Sequence, residues 1–141
     1  MPVAGLQRGT AVESTSLRYA DVIVVAPKGR LDHASAEAFQ LALEPMLVAA
    51  AGLNGALVLD LSALDYVSSV GLRVVMMAAK HLKARKARIA AVSLQPVVQE
   101  IFKIARFNHV VELYPSLPDA LQQLSEPALD AYRAGTGSSI E

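Results

Sequence analysis

Two short stretches hold the side chains that could do chemistry. Leu64-Asp65-Tyr66-Val67-Ser68-Ser69-Val70-Gly71 puts two adjacent hydroxyls where a loop should give way to a helix, and Gly29-Arg30-Leu31-Asp32-His33-Ala34-Ser35 offers a carboxylate, an imidazole and a third hydroxyl. A serine at a helix start can cap it, accepting a hydrogen bond from an N–H of the first turn. Ser68 or Ser69 fits that role. A serine there can also take a phosphate, which would meet free N–H groups and the positive end of the helix dipole while adding about −1.5 to −2 charges to the surface. Gly71 in the first turn costs about 1 kcal/mol against Ala, which implies that something approaches the backbone there. A phosphate would fit. A Ser69–His33 pair completed by Asp65 or Asp60 is the enzymatic alternative. Yet Val67-Ser68-Ser69-Val70-Gly71 is not a G-x-S-x-G elbow, and nothing in the spacing specifies a base. His81 and His109 stand alone and there is no Cys, so no metal-ligand pattern emerges.

The elements that position these stretches follow from periodicity. Ser16-Leu17-Arg18-Tyr19 alternates like a half-buried strand, and the β-branched run Val22-Ile23-Val24-Val25-Ala26 reads as a strand covered on both faces, the two forming a hairpin. Pro27, Gly29 and Asp32 are expected to end the second strand. A helix over 34–50, capped by Asp32 or Ser35, carries Phe39, Leu43, Met46, Leu47 and Ala50 on one face, with Pro45 kinking or splitting it. Ala56–Leu61 is a strand, and Val70–Lys83 a helix with the stripe Leu72, Val75, Met76, Ala79 and Leu82. After a strand at Ala87–Val92, Pro96 opens a helix that faces inward through Val98, Ile101, Phe102 and Ala105. A strand over Val110–Leu113 leads to Ser116-Leu117-Pro118-Asp119, a capping box opening a last helix that Pro127 ends. The order β-β-α-β-α-β-α-β-α predicts an α/β fold with a mixed, mostly parallel sheet, about four helices and an initial β-hairpin. Both chemical stretches then fall at the carboxyl ends of strands, where such folds gather function.

Composition narrows the choice further. The 141 residues fit one domain over 14–125, with a flexible N-terminus at 1–13 and a flexible tail at 126–141, where Ala128–Arg133 has room for one more turn. Hydrophobic residues make up 53% of the chain and aromatic ones 5%, so an aliphatic core is available and global disorder is excluded. Thirteen basic and thirteen acidic residues cancel, which removes the field a dedicated nucleic-acid binder needs. The one basic cluster, Lys80, Lys83, Arg85, Lys86 and Arg88, reads as a solvated helix end complementing the C-terminal dipole. There is no signal-peptide pattern in Met1–Thr10 and no run of the 18 or so apolar residues a membrane helix requires. With no Cys, a cytoplasmic protein without membrane insertion is expected.

Together these residues resemble the STAS domain, and within it the small stand-alone anti-sigma factor antagonists of bacteria. The likeness covers about residues 15–125. It rests on Gly29–Glu37, on Asp60-Leu61-Ser62 followed by Leu64–Arg73, and on Phe102–Phe107 with Tyr114-Pro115. The resemblance implies a β/α superhelix that works as an interaction module, neither an enzyme nor a cofactor binder. Its partners would be an anti-sigma factor that is also a serine kinase and a PP2C-type phosphatase that restores the antagonist. The phospho-acceptor would be Ser69, with Ser68 second, and the docking residues Asp32, His33, Ser68, Gly71, Leu72 and Arg73. This chain departs from the best-studied relatives in having Ser68 where they have Asp and Val70 where they often have Ser or Ala. An accessory subunit binding an ABC-transporter ATPase, or a unit of a larger sensory scaffold, is the other role such domains take.

Overall fold

The computed structural model describes residues 13–140, so the N-terminal segment expected to be flexible lies outside the described residues except for Glu13. β1 (Glu13–Tyr19) turns back into β2 (Val22–Leu31), and the two pair antiparallel from Tyr19↔Val22 to Glu13↔Lys28. There follow α1 (Ala36–Gly52), β3 (Ala56–Asp60), β4 (Leu64–Val67), α2 (Ser69–Ala84), β5 (Arg88–Val92) and α3 (Pro96–Ile104). A single 3-10 turn (Phe107–His109) then leads to β6 (Glu112–Tyr114), α4 (Leu117–Leu124), α5 (Glu126–Ala134) and β7 (Ser138–Ser139). The sheet order is β6-β5-β3-β2-β1-β7, with β4 beside β2. Pairs among β2, β3, β5 and β6 are parallel, and those of β1 antiparallel. This is the α/β fold with a mixed, mostly parallel sheet, and the described residues carry five α-helices where about four were expected.

Alternation along the central strands builds two cores. Ile23, Val25, Leu57, Leu59, Ile89 and Ala91 face α1, α2 and α3, where Phe39, Leu43, Leu82 and Phe102 fill the space. Val22, Val24, Val58, Ala90 and Val92 face the other way and are covered by Leu121, Ala128 and Leu129 of α4 and α5. A strand buried on both faces must be apolar throughout, which explains the continuous β-branched run of β2.

Several expected boundaries move. β2 does not stop at Pro27. It pairs with β3 only through Val25↔Leu59, so Pro27 falls in the interval before the strand meets β4. There Gly29 adopts φ +102°, the pairing shifts register between Gly29 and Arg30, and the strand is re-aimed to run parallel to β4 as far as Leu31↔Val67. Pro45 does not split α1. It lies on the exposed side of a continuous 17-residue helix, where water can satisfy the Leu41 carbonyl that loses its N–H donor. The buried arc of α2 is Gly71, Val74, Val75, Ala78, Ala79 and Leu82, wider than the expected stripe because the helix packs on α1 as well as on the sheet; Leu72 and Met76 sit half-buried at its flank. In α3, Val98 and Phe102 are buried, but Ala105 is exposed past the helix end.

The largest correction is beyond residue 125. Pro127 does not simply end a helix but sits in the first turn of the next one, where a proline's missing N–H costs nothing. Ser125 caps α5 by accepting from Ala128 N–H at 3.1 Å, and its own hydroxyl donates to Asp21. Ala128 and Leu129 are buried, Tyr132 meets Tyr19 edge-on with ring centroids 5.5 Å apart, and β7 adds to the outer edge of β1. The segment expected to be a flexible tail is thus helix and strand over most of its described length. Of the capping box expected at α4, the N-cap half is present, Asp119 N–H donating to Ser116 Oγ at 3.3 Å, while the Asp119 carboxylate accepts from the Ser116 hydroxyl at 2.9 Å rather than from its backbone N–H.

Candidate functional site

Residues Leu64–Val67, read from sequence as part of a loop, form the strand β4, and this pairing assembles the site. Gly29 N–H donates to Ala63 O at 2.9 Å and Ser68 N–H to Leu31 O at 2.9 Å, so the two chemical stretches are bonded side by side at the end of β2. Register places Arg30 opposite Tyr66, and the guanidinium carbon lies 4.4 Å from the ring centroid, a cation–π contact. No sequence signal links those two residues, because they become neighbours only through the strand pairing. Gln95, also unremarked in the sequence, braces the same loop by donating through Nε2 to Ser62 O at 2.8 Å and Asp65 Oδ1 at 3.3 Å.

The two adjacent serines have different jobs. Ser68 is the N-cap of α2: it is half-buried, its backbone is extended, and its Oγ accepts from Gly71 N–H at 3.2 Å. Ser69 is the first helical residue; it is exposed, and its hydroxyl makes no hydrogen bond to the described residues. Gly71 is buried, and its reason is internal. A Cβ there would lie 2.7 Å from Leu31 O, 2.8 Å from Leu31 Cγ and 2.9 Å from Val67 Cγ2. What approaches Gly71 is therefore the chain's own β2 rather than a phosphate, and the glycine seats the helix instead of lying on a contact surface. Leu72 is half-buried and Arg73 exposed, while Val70 and Met77 add exposed apolar surface on the outward side of the same helix.

The neighbouring loop is held by its own hydrogen bonds. Asp32 Oδ1 accepts from Ala34 N–H at 3.0 Å, and the buried Ser35 donates to Arg30 O at 2.8 Å while accepting from Asp32 N–H at 3.1 Å. Ser35 is the N-cap residue of α1 by position but makes no side-chain cap bond, so neither expected cap works through its side chain in the usual way. Desolvation pushes the Asp32 carboxyl upward, but the N–H groups of Ala34 and Ser35 and the charges of His33 and Arg30 outweigh it and hold the group below its ordinary 3.8. Asp32 is thus a carboxylate, with Arg30 Nε 3.7 Å from Oδ2, and His33 is exposed beside it. Among the described residues no hydrogen bond joins Ser69, His33, Asp60 or Asp65 to one another: Asp60 accepts from Ser62 N–H and Asp65 from Gln95. The imagined triad has no nucleophile–base contact. No group of three metal-ligating side chains occurs among the described residues either.

The profile of the STAS domain family matches residues 15–120, most of the chain and all of the site. The chain belongs to the STAS domain family. A stretch of 50 residues is 48% identical to BtrV of Bordetella bronchiseptica, whose curated name provisionally makes it an anti-sigma factor antagonist; the match covers 36% of this chain and 43% of that relative's length. An anti-sigma factor antagonist from Mycobacterium paratuberculosis superposes with a TM-score of 0.68 at 25% identity, covering 82% of this STAS chain and 95% of its own. SpoIIAA of Bacillus in its phosphorylated form superposes at 0.58 with 16% identity over 80% of this chain and 98% of its own, a likeness of fold. No helix among the described residues is long and apolar enough to cross a membrane.

Proposed function

We propose that this STAS protein is an anti-sigma factor antagonist, switched by phosphorylation of Ser69. In this reading it is a cytoplasmic regulatory protein without catalytic activity. It docks on an anti-sigma factor that is also a serine kinase, and a PP2C-type phosphatase resets it. The observation that carries the reading is the division of labour between the serines. Ser68 is committed to the cap, whereas Ser69 presents an exposed hydroxyl, with no hydrogen bond among the described residues, at the first position of a 16-residue helix. The names of the relatives from Bordetella bronchiseptica and Mycobacterium paratuberculosis, and the existence of a phosphorylated fold neighbour, point the same way.

The docking surface is the outward side of α2 with the adjoining loop: Ser69, Val70, Arg73 and Met77, flanked by Asp32 and His33. Leu72 contributes its accessible half. In the switch, the kinase base takes the Ser69 hydroxyl proton, Oγ attacks the γ-phosphorus of ATP, and ADP leaves. The product carries about −1.5 to −2 charges where a neutral hydroxyl met the partner. Burying that charge without a counter-ion costs several kcal/mol, and about 2.8 kcal/mol already means a hundredfold loss of affinity.

The test is to incubate the protein with the anti-sigma kinase of its own genome and Mg-ATP, then map the phosphate by mass spectrometry. One phosphate on Ser69, absent from Ser69→Ala and retained by Ser68→Ala, is the expected result. Equal labelling of Ser69→Ala sinks the assignment of the acceptor. Capture of an ABC-transporter ATPase instead of a kinase would replace the partner.

A further inference from the structure

Part of the basic cluster at the end of α2 borders a cavity. Between the last turns of α2, the β5–β6 edge of the sheet and the 3-10 turn lies a half-open cavity of about 430 Å³. That is within the size range of small-molecule sites. Its floor is aliphatic, made by Met76, Ala79, Ile89, Val110 and Val111. Lys80, Lys83 and Arg88 stand on its rim with Glu112 and His109. Arg88 and Glu112 cancel, since the guanidinium donates to both carboxylate oxygens, at 2.6 and 2.8 Å. The exposed ammonium groups of Lys80 and Lys83 have no ion-pair partner among the described residues and are left facing an apolar trough. No Phe, Tyr or Trp lines the cavity, and the aliphatic floor offers an alkyl chain a continuous surface.

We propose that this cavity binds a small amphiphile with one aliphatic chain and an anionic head, the chain lying on Met76, Ile89 and Val111 and the head paired with Lys80 and Lys83. The site is on the far end of α2 from Ser69 and is independent of the phosphorylation switch. The residues flagged as a basic cluster divide accordingly: Lys80, Lys83 and Arg88 reach the cavity, whereas Arg85 and Lys86 do not line it.

The experiment titrates the full chain with octyl, decyl and dodecyl phosphate below their micelle thresholds, by calorimetry and by NMR of the Ile89, Val110 and Val111 methyl groups. Saturable one-to-one binding is expected, tightening about fourfold for each added methylene until the cavity is full. Lys80→Glu and Lys83→Glu, both surface changes, should each weaken binding about tenfold or more, while Arg85→Glu in the same basic run should leave it unchanged. An affinity independent of chain length, or lowered equally by Arg85→Glu, overturns the proposal, because either describes nonspecific ion attraction. Binding only to phosphatidylglycerol vesicles, with none to the monomeric phosphates, overturns it in favour of a membrane surface.

Discussion

At the scale of single residues, the site depends on two neighbours that look alike in the sequence. Ser68→Ala removes the oxygen that accepts from Gly71 N–H and should cost about 1 kcal/mol of stability. Ser69→Ala touches no hydrogen bond among the described residues and should stay within about 0.5 kcal/mol of the parent. Urea unfolding of the two variants checks the difference, and equal losses would contradict the division of labour. Gly71→Ala tests the packing reason for the glycine. Helix propensity favours Ala by about 1 kcal/mol. The new methyl, however, would meet the Leu31 carbonyl at 2.7 Å, a backbone atom that cannot swing away. Overpacking of this kind costs about 1–3 kcal/mol, so the variant should be less stable than the parent, and a more stable one would mean that β2 yields easily. The presence of an unusual glycine was legible in the sequence; what it makes room for was not, because Leu31 is brought to it only by the β2–β4 pairing.

At the scale of elements, the C-terminal segment departs furthest from expectation. Leu129 of α5 is 7% exposed and belongs to the second core, so Leu129→Ala should destabilise by roughly 2–5 kcal/mol, where a loose tail would give nothing measurable by chemical denaturation. Pro127 and the polar run Thr136-Gly137-Ser138-Ser139 mimic a terminus. A nine-residue helix with only Ala128 and Leu129 buried carries too weak a period to be read locally, and it becomes stable once the sheet offers Val22, Val24 and Val58 to cover. The β6 edge gives a prediction in pH. The hydrogen bond from Arg88, opposed by desolvation and aided by Tyr114, holds the Glu112 carboxyl below its ordinary 4.5. Its contribution is therefore present above that value and is lost as pH falls through the lower folded-state value. Glu112→Gln should flatten this part of the acid limb of the stability curve. The parent's β6 amides, protected at pH 7, should exchange faster relative to those of β3 once the carboxylate is protonated; an unchanged ratio would mean that the pair does not hold the edge.

For the molecule as a whole, the proposed switch lies in the interface and leaves the fold alone. An anion at the first turn of α2 meets the positive end of the helix dipole, which favours it by about 0.3–1 kcal/mol. Phosphorylated protein should accordingly melt at the same Tm or a few degrees higher in calorimetry, while its affinity for the anti-sigma kinase falls at least a hundredfold. A fall in Tm together with lost affinity would place the switch in the fold instead. By itself the sequence determined the fold class, the hairpin, the helix carrying the two serines and the N-cap at Ser116, because hydrophobic period, β-branching and cap chemistry act between residues close in the chain. Only the tertiary structure decided which serine caps the helix, why Gly71 is a glycine, how Arg30 meets Tyr66, and that α5 and β7 pack on the sheet. Each of these depends on strand register or on a surface supplied by a distant segment, and the energy of such contacts is written in no local run of residues.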